Sequence, residues 1–133
     1  MKSKLEVIAL CALLALSGCN GFFSGSGGSD DLQTERVDVV NHANQSHTVT
    51  VVVEHDGEEI TNETHVLRVP RSGESALERV TYRASEGESY TVRARMDGGE
   101  WYSGEIDSEE IGFEDIEVQI SESGDIGIYR AYR

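Results

Sequence analysis

The 133-residue chain has only two cysteines, Cys11 and Cys19, and no lysine after Lys4. Beyond residue 19 there is no thiol left to pair, and a domain of about 100 residues can bury enough core to fold without a disulfide. The missing lysines leave arginine as the only strong base of that stretch, in a chain of 25 acidic residues and formal charge −14. Nucleic-acid binding needs a basic footprint, and no arginine cluster here escapes neighbouring acids. Direct adsorption to anionic headgroups is disfavoured on the same ground. A membrane-spanning helix is also missing, because crossing takes about 20 apolar residues. The apolar run at 5–16 is shorter and carries Glu6.

What is present starts with that run. Lys2 and Lys4 precede it, and Leu16-Ser17-Gly18-Cys19 follow it. A charged start, a short apolar segment and small residues before a cysteine resemble a lipoprotein signal peptide. The resemblance implies cleavage before Cys19 and a lipid on that residue. The protein is then expected at the cell membrane, lipid-anchored and facing the exterior. No arginine pair precedes the run, so the general secretion route is expected. Residues 1–18 are read as the signal peptide and 19–34 as a tether. Ser24-Gly25-Ser26-Gly27-Gly28-Ser29 makes that tether flexible, and Asp30-Asp31 keeps it solvated.

Cleavage removes two lysines and one glutamate, leaving the mature chain at about −15. Its acids alternate with Val, Ile and Tyr instead of forming blocks, which argues for a folded domain over an acidic tail. So much acid with so little lysine resembles the proteins of extreme halophiles. Near-molar salt shortens the Debye length to about 3 Å, so crowded carboxylates hardly repel one another.

From residue 35 the hydrophobic period is two. Val49, Val51 and Val53 alternate with Thr48, Thr50 and Val52; Tyr90, Val92, Ala94 and Met96 alternate with Ser89, Thr91, Arg93 and Arg95; Ile116, Val118 and Ile120 alternate with Glu117, Gln119 and Ser121. Each reads as a strand with one buried face. Weaker strands are expected at 37–40, 64–69, 77–82, 100–103 and 126–132, with one short helical turn at 108–112. Asp56-Gly57, Pro70 to Gly73, Glu86-Gly87, Asp97-Gly98-Gly99 and Ser123-Gly124-Asp125 supply the turns. Seven to eight strands in residues 35–133 predict an all-β, two-sheet antiparallel sandwich. Its expected core is Val37, Val39, Val49, Val51, Val53, Leu67, Val69, Val80, Tyr82, Tyr90, Val92, Ala94, Trp101, Ile116, Val118, Ile120, Ile126 and Ile128. The stretches 37–41, 47–53, 56–57, 70–75 and 87–92 resemble immunoglobulin-like domains of archaeal and bacterial surface lipoproteins, without the Cys-Trp-Cys core of antibody domains.

Chemistry-bearing residues are scattered. His42, His47, His55 and His65 lie near Glu54 and Asp56, yet no spacing forces them together on a metal. Glu58-Glu59, Glu109-Glu110 and Glu114-Asp115 are adjacent pairs whose side chains point to opposite faces of a strand. The stretch Asp107 to Glu110 follows no recognisable calcium-loop pattern. Ser72-Gly73-Glu74-Ser75 is not a nucleophile elbow. No catalytic residue, metal ligand or cofactor is therefore assigned. Asn44-Gln45-Ser46 and Asn62-Glu63-Thr64 match the N-glycosylation acceptor pattern. The expected function is a non-catalytic, lipid-anchored surface domain with a structural or protein-interaction role. Its partners would be the membrane, through Cys19, and a protein. Two alternatives stand beside it. One is a small-solute or metal-binding accessory lipoprotein, which would need a concave site at Trp101, Tyr102 or converging histidines. The other is a protease-inhibitor-like binding module.

Overall fold

A computed structural model describes residues 32–107 and 114–132. The expected signal peptide, Cys19, the expected tether up to residue 31 and the short helical turn expected at 108–112 lie outside them. Gln33 and Thr34, read as the end of the tether, instead open the first strand because they pair in register with Ala84 and Arg83. Eight strands run in order: β1 (Gln33–Asn41), β2 (His47–His55), β3 (Glu58–Leu67), β4 (Ala76–Ala84), β5 (Ser89–Met96), β6 (Tyr102–Asp107), β7 (Glu114–Ile120) and β8 (Ile126–Tyr132). They form two four-stranded sheets, β4-β1-β7-β8 and β3-β2-β5-β6. The chain is thus an all-β sandwich, as the period of two requires. Every pairing is antiparallel except β1 with β7, which runs parallel with Val37 opposite Ile116.

The inner faces are aliphatic. Val37 and Val39 from β1, Val49, Val51 and Val53 from β2, Val80, Val92, Val118 and Ile120 are fully buried. Ile126 and Ile128 pack against this cluster only partly buried, because β8 is an edge strand. Close packing at that edge needs Gly104, where an added Cβ would stand 3.2 Å from Ile128 Cγ2.

The connectivity follows the immunoglobulin pattern, in which strand B neighbours E in one sheet and C′, C, F and G form the other. Here β1 and β4 take the places of B and E, while β3, β2, β5 and β6 take those of C′, C, F and G. The β7–β8 hairpin lies on the free side of β1, where strand A stands in such domains. Tyr90 adds a second likeness. Near the start of β5, its hydroxyl accepts a 2.8 Å bond from the Ser85 amide, as the corner tyrosine of immunoglobulin folds bonds back to the preceding turn. Val92 then occupies the place where antibody domains carry their second cysteine. Tyr82 packs at a tilt against Tyr90, and burial, then the nearby Glu35, raises its phenol well above the ordinary value.

Two expected core residues are not core. Val69 is 45% exposed, because β3 ends at Leu67 where the chain leaves one sheet for the other. The backbone at Arg68 is held there by Asn41, whose Nδ2 donates to Arg68 O and Gln45 O while its Oδ1 accepts from the Ala43 amide. Trp101 is 38% exposed, since the sixth strand starts at Tyr102 and leaves the indole in a turn. Conversely Val52, expected on a solvent face, is 2% exposed.

The sandwich has two unlike ends. The chain enters at Gln33, opposite Ala84, beside the turns at 56–57 and 85–88. The opposite end gathers the connections 42–46, 68–75, 97–101 and 121–125.

Candidate interaction surface

The outer face of the second sheet is built from alternate residues of β3, β2 and β5. Register sets Val66 beside Thr48, Thr64 beside Thr50 and Arg95, and Asn62 beside Val52 and Arg93. Six of these eight side chains are uncharged; the other two are Arg95 and Arg93, and Arg93 is paired. Its Nη1 donates to Glu54 Oε1 at 2.9 Å. In a chain this acidic, a sheet face of threonines, valines and arginines is unusual. Trp101 folds back over it, with the guanidinium carbons of Arg93 and Arg95 4.6 and 4.7 Å from its ring centroid. Each such contact contributes about 0.5–2 kcal/mol, more as water is excluded. The stack shields Arg95 Nε, which is buried without a hydrogen-bond partner. Val52, the cross-strand neighbour of Arg93 on this face, is also buried.

The turn carrying Trp101 is clamped by Asp97. Its Oδ1 accepts from the Thr48 amide at 2.8 Å, and its Oδ2 accepts from His47 Nδ1 at 2.7 Å, the only direction an ionised carboxylate allows. These bonds, the His47 one foremost, hold the Asp97 carboxyl below its ordinary range. Asp97 and Gly98 both adopt positive φ, 51° and 69°, which a tight turn joining twisted antiparallel strands demands.

A second exposed feature sits at the end away from Gln33. The β3-to-β4 connection surrounds an open hollow of about 540 Å³ lined by Val66, Arg68, Val69, Pro70, Arg71, Glu74 and Leu77 among others. Val66, Val69 and Leu77 are 64%, 45% and 48% exposed. The hollow contains Ser75 and borders the turn at Gly73, so the 72–75 stretch serves as a bend in this crossover.

No protein-family model and no curated protein matches the chain.

The four histidines are dispersed. His42 is exposed in the β1–β2 connection and His47 belongs to the Asp97 clamp. His55 lies at the opposite end, stacked on Tyr90 at 4.9 Å with Nε2 3.0 Å from Glu88. His65 faces the gap between β3 and β4, with Glu63 2.9 Å from Nε2 and Glu78 3.8 Å from Nδ1. Among the described residues no group of three or more His, Cys, Asp or Glu is arranged to hold a metal ion. Glu58 and Glu59 are exposed at the start of β3, and Glu59 accepts from Asn62 Nδ2. Residues 108–113, with Glu109 and Glu110, fall outside the described set, as does Cys19. Asn44 is exposed in the 42–46 connection, and Asn62 is exposed in the middle of edge strand β3. Trp101 and Tyr102 are readable in the sequence as either core packing or an aromatic contact patch, whereas the crossover hollow is not legible there as a site. The Asp97-Gly98-Gly99 turn beside Trp101 is the local hint of that patch.

Proposed function

We propose that the protein is a non-catalytic, salt-adapted surface domain, lipid-anchored through Cys19, that meets a protein partner at the end away from its membrane tether. The observation that carries this reading is the position of the exposed apolar crossover. Val66, Val69 and Leu77 lie at the end opposite Gln33, where the tether joins. Cys19 precedes Gln33 in the sequence, so on this reading the anchor joins at the entry end and the crossover lies at the end away from it. Exposed apolar side chains beside Arg68 and Arg71 suit a partner with an apolar contact and acidic rim. The solute-binding alternative has less support, because the histidines do not converge: His47 lies in the Asp97 clamp, His55 at the opposite end and His65 between β3 and β4.

A photo-crosslinking residue in place of Val69, in the full chain on intact cells, should give a discrete protein adduct. The same residue at Asp56, at the tether end, should not. Exchanging residues 1–19 for a secretion signal without the cysteine should release folded protein to the medium and abolish the adduct. Retention of that chain on the membrane, or equal adducts at both positions, would sink the reading.

A further inference from the structure

The acceptor pattern at Asn62 and the indole platform share one face. Asn62, Val52 and Arg93 are successive register partners on β3, β2 and β5. Two strand spacings set Asn62 about 10 Å from the arginine over which Trp101 lies. Val52 lies between them in the register and is 2% exposed, covered by neighbouring side chains. The Asn62 amide points to solvent from an edge strand, bound to exposed Glu59 alone, and Thr64 lies on the same side two residues on. The first two sugars of an Asn-linked chain span such a gap. An indole offers the C–H face of a sugar ring a large apolar plane, and Trp101, 38% exposed, is held in place by the Arg93 and Arg95 guanidiniums against its ring.

We propose that Asn62 is N-glycosylated and that its glycan lies across the outer face of the second sheet, with a sugar stacked on Trp101. The proposal rests on export of the chain to the cell surface. Transfer forms a bond between sugar C1 and Asn62 Nδ2 as the bond from C1 to a lipid-phosphate carrier breaks. The phosphate leaves with the bonding electron pair, and Nδ2 gives up one proton. The occupied face would be closed to protein partners, leaving the crossover hollow as the open apolar surface.

Trp101 is the only tryptophan of the chain, so its fluorescence reads the contact directly. The full chain is purified from surface membranes of a secreting host that N-glycosylates, alongside Asn62→Gln, Thr64→Ala, Thr64→Ser and Asn44→Gln. Intact mass should show glycan on the native, Thr64→Ser and Asn44→Gln chains at residue 62, and none there on the other two. Loss of that glycan should red-shift the Trp101 emission and raise its quenching by iodide about two-fold, as uncovering an exposed aromatic face requires. Asn44→Gln should leave emission and quenching unchanged. A surface-exposed native chain with bare Asn62, or a glycosylated one whose quenching matches Asn62→Gln, overturns the proposal and leaves the surface reading intact. A chain found only inside the cell overturns both.

Discussion

Asn41 is the one buried polar side chain among the described residues, fully enclosed at the end of β1. Its amide ties three backbone groups, at Ala43, Gln45 and Arg68, so one residue joins the β1–β2 connection to the crossover between sheets. Removing it strands a buried N–H and two carbonyls, each costing more unpaired than a hydrogen bond returns when made. Asn41→Ala should therefore lose about 3 kcal/mol in denaturant unfolding. Asn41→Asp should fare no better, because a carboxylate can accept from Ala43 but has nothing to donate to the two carbonyls. A loss within experimental error for both would show that water takes over these bonds. Composition gives no sign of this role, since Asn41 reads from the sequence as the polar end of a strand.

At the scale of the element, β2 tests the register most sharply. Val51 is fully buried opposite Ala94, whereas Thr50, one residue earlier, faces outward between Thr64 and Arg95. Val51→Asp places an unpaired charge in an aliphatic interior and should cost about 4 kcal/mol or more. Thr50→Asp gives up a 3.0 Å hydroxyl bond to Thr64 but gains Arg95 as a neighbour, and should stay within about 1 kcal/mol of the parent. Similar midpoints for both would mean that the strand is turned over. Alternation makes this distinction visible from the residues alone and locates all eight strands, but β3, expected at 64–69, runs over 58–67, and β6, expected at 100–103, runs over 102–107. It could not reach beyond a strand's end. Val69 continued the period of β3 on paper, but the chain had already turned away toward the other sheet. Trp101 was assigned inward by its bulk, yet a turn residue has no pleat to fix its side. Val52 shares the outward face with Thr48 and Thr50, as alternation requires, and is buried all the same between its cross-strand neighbours Asn62 and Arg93. Local period states which face a residue shares, and the tertiary fold states what lies over that face.

For the whole molecule the governing quantity is charge. Arg79 with Asp38 and Arg93 with Glu54 neutralise a few acids, but a formal −14 remains over the chain. Going from molar KCl to about 10 mM extends the Debye length from about 3 Å to about 30 Å, so carboxylates on opposite edges begin to feel one another. The thermal midpoint should fall steeply along that series, and equal midpoints at its two limits would contradict a salt-adapted surface. The parallel contact between β1 and β7 has a consequence in time. Hairpins such as β2–β3 and β5–β6 can form as soon as their own residues are available, but β1 must wait for a partner near the far terminus, Val37 for Ile116. Pairings so distant in sequence close late and slowly. As the chain is made or threaded through a pore, its first strand stays open on one side until residues 116–120 emerge. Closure of the first sheet is thereby coupled to the passage of β7.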